Sequence, residues 1–287
     1  MPTALKYTFS GHESFPCKVL WLKKGYDFVL EENNWNSADS VVKLGVGKNM
    51  VSSIRYWMRA FVLITDKSLT DIAHFILNTE KGCDPFLEDI GTLWLLHYLL
   101  VSSGEATLYN LFFTRFQRER ITFDRQQIVS FVKRCMTEDG KLKAYNENTV
   151  KKDVGVLLQN YVQPQNTQSM EDYSSLLIDL DLVRLSSDGK QYTYNIEGKR
   201  QLPLDILLYA IVCEKGKDNS VDYDTLQRVG LMFCLNDMEL ISMLLSLQTI
   251  YPQDLRYSDT AGLRQIQFLK EIKSMDILKH YYYGQEL

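Results

Sequence analysis

The sequence predicts a mainly α-helical protein made of winged helix-turn-helix units with short β-hairpin wings, followed by a C-terminal helical region. Three observations carry this expectation. Residues 36–61 lay out two helices around a glycine turn, and apolar residues recur at helical spacing along most of the chain. Residues 182–196 alternate about Ser187-Asp188-Gly189, a hairpin signal.

Within residues 36–61, Asn36 is placed to cap a first helix through Val41, Val42 and Leu44. Gly45 supplies the turn, where a positive φ costs other residues more. The second helix puts Met50, Ile54, Trp57 and Phe61 on one face at i, i+4, i+7 and i+11, with Val51 and Met58 beside them. The opposite stripe is Lys48, Ser52, Arg55 and Arg59 at the same spacing, with Asn49 adjoining it. Short polar side chains and cations along one helix suit a groove walled by phosphates, so duplex DNA is the expected partner. In that reading the cations hold phosphates, while Asn49 and Ser52 reach base edges. A solvated basic face is the competing reading, and Val41 stands where the motif usually has a smaller residue.

The remaining elements follow in order. Residues 62–65 are expected as a short strand and residues 68–78 as a helix. Asp84-Pro85 has the form of a helix start, with Asp as cap and Pro at the first helical position. From Gly91, GTLWLLHYLLVS is apolar nearly all round, as a buried central helix would be. Tyr109–Phe116 continues a helical core. Residues 124–138 turn Ile128, Phe131, Val132 and Cys135 inward. Asn148 is read as the cap of a further helix, with Val150, Val154, Leu157, Leu158 and Tyr161 inward and Lys151 and Lys152 outward. These two lysines join the nucleic-acid-binding set. QPQNTQSM (163–170) is the linker candidate, residues 173–180 a short helix, and residues 182–196 the wing of a second unit. Helices are expected at 203–215, 221–230, 236–250 and 260–280, and no internal repeat is apparent. The expected domains are 1–121, 122–200 and 201–287.

Bulk properties narrow the class. With 287 residues, 45% hydrophobic and 24% charged, the chain has the composition of a globular protein with room for two domains. No run approaches the ~18–20 apolar residues of a membrane span, and the first residues lack a cationic leader, so the expectation is cytoplasmic. Five scattered cysteines without a CxxC spacing fit reduced thiols better than zinc or disulfides. A net charge of −4 argues against coating DNA by bulk attraction. The charge is uneven, however: residues 1–60 hold eight Lys/Arg against five Asp/Glu, and residues 110–160 ten against six. Both positive blocks coincide with the candidate DNA-binding modules.

For catalysis the sequence offers less. A nicking site needs carboxylates, often with a His, around Mg²⁺, and no familiar nuclease spacing is present. His12-Glu13, in a polar turn before an apolar segment, is the candidate pair: His12 as general base, Glu13 to orient it or hold a metal. Helix capping is the competing explanation of the same residues. Asp84, Glu88 and Asp89 form the densest acidic cluster, which capping also explains. No metal ligands are assigned; Mg²⁺ enters only if the protein nicks DNA. His97 reads as a hydrogen-bonded core residue. Gly45-Val46-Gly47-Lys48 lacks the spacing of a P-loop. Tyr56, Tyr109 and Tyr281–Tyr283 are candidates to stack on unpaired bases, although most aromatics fall at core spacing.

Four strings carry a resemblance over nearly the whole chain: FSGHESFPCKVLWLKKG, LGVGKNMVSSIRYW, DPFLEDIGTLWLLHYLL and the later YSDTAGLRQI. They resemble a bacterial family catalogued as a domain of unknown function, the SspB-like family. Its genes lie beside phosphoadenosine-phosphosulfate-reductase-like genes in DNA phosphorothioation and antiviral defence clusters. The resemblance implies a DNA-handling component of such a system, with sulfur-transfer or ATPase proteins of the same operon as partners. It also implies a DNA nickase as one activity of the family, which nothing in the residue pattern derives. The rivals to a DNA-binding component are therefore a Mg²⁺-dependent nickase using His12 and Glu13, a non-catalytic adaptor, and a transcription regulator. Oligomeric state is not legible.

Overall fold

The computed structural model describes residues 7–66, 68–164, 175–198, 201–260 and 263–284. The chain divides by internal contacts into two units, Met1–Asn195 and Ile196–Leu287. It is mainly helical, with two small antiparallel sheets.

The first unit opens with an extended N-terminal segment and α1 (Trp21–Leu30), then α2 (Ser40–Leu44) and α3 (Lys48–Ala60). Helix α2 starts later than the sequence suggested. Its N-cap position is Asp39, while Asn36 lies in a preceding turn, its N–H donating to the Asn34 side chain at 2.9 Å. The turn is as expected: Gly45 sits at φ 64°, and the N–H groups of Gly45 and Val46 return to the carbonyls of Val42 and Val41. Helix α3 buries Val51, Ile54, Trp57 and Met58, and Phe61 follows them into the core. Gly25 of α1 meets that face so closely that an added Cβ would lie 2.7 Å from Met58 Cγ. After α3 the chain forms a single bridge between Ile64 and Leu69 in place of the expected strand.

Helix α4 (Asp71–Leu77) is capped by Thr70, whose hydroxyl accepts the Ala73 N–H. Asp84 does not start a helix: its carboxylate accepts the N–H groups of Glu88 and Asp89, forming a turn. Asp89 is the actual cap of α5 (Ile90–Ser102), which is buried nearly all round. Helix α6 (Thr107–Leu111) runs through a π turn at Phe112–Phe116 into α7 (Gln117–Glu119). The wider turn sends Phe112, Phe113 and Phe116 inward together, and the Tyr194 hydroxyl donates to the Phe112 carbonyl at 2.8 Å.

Next come β1 (Thr122–Phe123), α8 (Arg125–Glu138), α9 (Glu147–Tyr161), β2 (Val183–Leu185) and β3 (Tyr192–Tyr194). Asp124 and Gln127 make a reciprocal capping box at α8, and Asn146 rather than Asn148 caps α9. The strands pair in the order β1-β3-β2. Of the suggested linker and the short helix after it, residues 165–174 lie outside the described residues; residues 178–180 form one 3-10 turn.

The second unit holds α10 (Leu204–Lys215), β4 (Ser220–Asp222), α11 (Tyr223–Met232), α12 (Asp237–Ile250), β5 (Leu255–Thr260), β6 (Leu263–Phe268) and α13 (Ser274–Tyr283). A wholly helical C-terminal region was expected here, and residues 260–280 in particular were read as helix. That expectation is corrected by the β5–β6 pair, in which Tyr257 faces Ile266 and Leu255 faces Phe268. Those four residues are buried at alternate positions, which is the period of a strand. The sheet order is β4-β6-β5, so this unit repeats the connectivity of β1 to β3: strand, two helices, hairpin. The repeat is one of topology and is not apparent in the residue pattern.

Among the described residues no single helix is long and apolar enough to cross a membrane. Two glycines test the packing of the first three helices. Gly45→Ala forces a Cβ into the left-handed region with open space around it, and should cost about 1 kcal/mol. Gly25→Ala drives a methyl into Met58 and Ile54 and should cost about 1–3 kcal/mol. Urea denaturation followed by tryptophan fluorescence measures both, and equal stability of Gly25→Ala and the parent would refute the close contact.

Candidate nucleic-acid interface

Helix α3 owes its two-faced character to spacing alone. With its apolar stripe committed to the core, the other stripe has to face outward. Lys48, Asn49, Ser52 and Arg59 are exposed and Arg55 is half-buried. Lys48 and Arg55 form no ion pair among the described residues, whereas Arg59 pairs with Asp66 at 3.2 Å. The five residues therefore lie together on one helix.

Lys151 and Lys152 project from the first turns of α9, both exposed. Lys151 pairs with Glu147 one turn back at 2.7 Å, and this partner lowers the Glu147 carboxyl pKa. Beyond them α9 is largely buried, leaving Asn148, Lys152, Gly155 and Gln159 as its accessible stripe.

His12 and Glu13 are separated by the fold. His12 is 3% exposed, lying parallel to the Trp57 ring at 6.2 Å and edge-on to Tyr56. Its Nδ1 accepts the Ser14 N–H at 3.1 Å, which leaves Nε2 to carry the proton in the neutral ring. Nε2 faces Asp153 Oδ1 of α9 at 3.2 Å, without the alignment of a hydrogen bond. The other Asp153 oxygen accepts the Ser10 N–H at 2.9 Å. Glu13 points to solvent, and Ser10, Glu13 and Ser14 all adopt positive φ, a tight path that folds around His12. The space bounded by His12, Tyr56, Tyr109 and Asp153 leaves no room for a substrate. Burial, with the Asp153 and Glu105 charges, pushes the Tyr56 hydroxyl well above its ordinary range.

The same N-terminal segment makes further ties. The Trp57 indole donates to the Phe15 carbonyl at 3.1 Å, and the Cys17 N–H donates to Asn160 of α9 at 3.0 Å. Asn160 donates in turn to the Tyr109 hydroxyl at 2.7 Å. Gly11 is required here, because a Cβ would fall 2.2 Å from the Tyr56 ring. Residues 10–17 thus form a strap joining α3 to α9. Asp153 and Asn160 were missed by reading the sequence, yet each carried a signal: a polar residue on the apolar face of an amphipathic helix.

The remaining candidates have structural partners. The Asp84 carboxylate is filled by two backbone N–H groups, and Asp89 accepts from Gly91 and Thr92. His97 bonds Tyr161 at 2.8 Å, inside the core as expected. Tyr109 is buried, with its hydroxyl pKa raised chiefly by desolvation. Among the described residues no three His, Cys, Asp or Glu side chains gather as a metal site.

The chain belongs to the family described as a protein of unknown function, DUF4007, which it matches over residues 9–282. It is similar to a magnesium ion-bound SspB crystal structure, 26% identical with a TM-score of 0.84, covering 97% of this chain and 89% of that one. A second SspB crystal structure is 24% identical with a TM-score of 0.82 over the same shares, a likeness of fold alone. No curated protein sequence matches the chain.

The strap geometry sets a stability test that separates His12 from Glu13. His12→Ala empties a buried site and should cost about 3 kcal/mol. Asp153→Ala strands the Ser10 N–H and His12 and should cost about 2 kcal/mol. The double variant should lose about 1 kcal/mol less than the sum, since the two share one contact. Glu13→Ala should stay within about 0.5 kcal/mol of the parent. Strict additivity of His12→Ala and Asp153→Ala in denaturation would show that the two side chains do not interact.

Proposed function

We propose that this DUF4007 chain binds duplex DNA through α3, as a component of a phosphorothioation-type modification or defence system. The observation that carries the reading is the outward stripe of α3, with no ion pair to Lys48 or Arg55 among the described residues and Asn49 and Ser52 beside them. The cations hold phosphates, Asn49 and Ser52 lie at base edges, and Arg59 exchanges Asp66 for a phosphate. The link to the modification system rests on the resemblance to SspB proteins.

In the same reading, β1-α8-α9-β2-β3 is a winged-helix module. Its helix α9 offers Lys151, Lys152 and Gln159, and its hairpin offers Lys190, as secondary backbone contacts. Sulfur-transfer or ATPase proteins of the same operon are the protein partners this reading implies.

A second reading, nicking with Mg²⁺, is favoured by the likeness to a magnesium ion-bound SspB. The donor set does not fit a metal centre built by this chain alone: the Asp84 carboxylate accepts two backbone N–H groups, and no three ligands converge among the described residues. His12 as general base would require the strap to open, since both ring nitrogens face partners inside the fold. A loss of nicking in His12→Ala therefore reports on catalysis only if the variant remains folded.

The DNA reading is tested by fluorescence anisotropy on a labelled duplex across a salt series. Lys48→Ala and Arg55→Ala should each weaken binding and reduce the salt slope by about one unit. Asp66→Ala, which releases Arg59, should tighten it. Unchanged slopes in both cation variants would remove α3 from the interface.

A further inference from the structure

The cationic side of α3 opens onto a cavity of about 360 Å³ lined by Arg55 and Arg59 on one side and by the turn after α1 on the other. Its apolar lining is Val29, Ile64 and Trp35. Of the four tryptophans, Trp21, Trp57 and Trp94 are at most 4% exposed, while Trp35 is half-buried. Trp35 is braced from behind by buried Phe28, with ring centroids 4.6 Å apart and a tilt of 44°. An indole fixed this way, with one part left accessible in a cavity, is a stacking platform that the core does not need.

The other lining groups decide what stacks there. A bare anion would meet Arg55 and Arg59 but also the carboxylates of Glu32 and Asp66, which would repel it. A nucleotide satisfies both sets: its phosphate suits the guanidinium groups, and the amino or ring N–H groups of its base suit the carboxylates. A volume of about 360 Å³ is at the small end of ligand pockets and suits one base rather than a helix of them. A base within an intact duplex has both faces covered by its neighbours and cannot reach Trp35.

We propose that this cavity receives a single unpaired nucleotide, extruded from duplex DNA that lies on α3, with its base stacked on Trp35 and its phosphate held by Arg55 and Arg59. The proposal rests on the duplex-binding reading and names the DNA it prefers: a duplex interrupted by an unpaired residue, as at a bulge or a gap. Trp35 lies in the polar stretch EENNWNS, where an isolated aromatic was the available signal.

The test compares a fully paired duplex with the same duplex carrying one bulged 2-aminopurine, by anisotropy and by 2-aminopurine fluorescence. The parent protein should bind the bulged duplex roughly tenfold more tightly and quench its fluorescence. Trp35→Ala should abolish the preference and the quenching while leaving paired-duplex affinity unchanged. Ser68→Phe, which fills the cavity from an exposed rim position, should do the same with the indole intact. Equal affinity of the parent protein for the two duplexes, or a preference that survives both variants, would overturn the cavity assignment while duplex binding stands. Failure of the parent protein to bind either DNA would overturn both.

Discussion

The first unit depends on a strap eight residues long. Ser10 and His12 meet Asp153, and Cys17 meets Asn160, across 143 residues of sequence in the Ser10 and Cys17 bonds. Contacts this distant in sequence carry a large loop-closure entropy, so they hold only as part of the folded unit. Each hydrogen bond contributes only about 1 kcal/mol, but the buried groups cannot be left unpaired without a larger penalty. Trp57 is where the strap touches α3: one edge of the indole is held by the Phe15 carbonyl and one face is covered by His12. That contact ties the strap to the apolar stripe whose burial sets which side of α3 faces solvent.

From this constraint the surface chemistry follows. Once Ile54, Trp57 and Met58 are locked inward, Lys48, Ser52, Arg55 and Arg59 have only the outer side left to them. The second unit shows that connectivity alone does not set a ligand. Its helix α12 occupies the place in the strand-helix-helix-hairpin order that α9 occupies in the first, yet it exposes Met238, Ser242, Leu245 and Thr249 and no cation. Chemistry resides in the side chains that a shared scaffold turns outward.

How much of this was legible in the sequence depends on whether local chemistry or long-range packing decided the outcome. Gly45 and the stripes of α3 were readable, because a turn and a period need nothing beyond their own residues. The all-round burial of α5 and the hairpin about Ser187-Asp188-Gly189 were readable for the same reason. Helix starts slipped where several capping residues stood close together: Asp39 took the place expected of Asn36, Asn146 that of Asn148, and Asp89 that of Asp84. The β5–β6 hairpin was lost because the last residues of β5, Asp259 and Thr260, also resemble a helix cap. His12-Glu13 looked like a site because adjacent ionisable residues in a turn suggest one. Asp153, which makes His12 a structural joint, stands out as a polar residue on an apolar face, but nothing in the sequence pairs it with His12.

The account turns on whether the outer face of α3 touches DNA, and photocrosslinking measures that contact without altering the cations. With p-benzoylphenylalanine in place of Asn49, irradiation on a labelled duplex should give a covalent protein–DNA product that competitor duplex and added salt remove. The same group at Met238 of α12 should give none. Crosslinking from position 238 with none from position 49 would contradict the account, placing the nucleic acid on the second unit and leaving the α3 stripe as a solvated face.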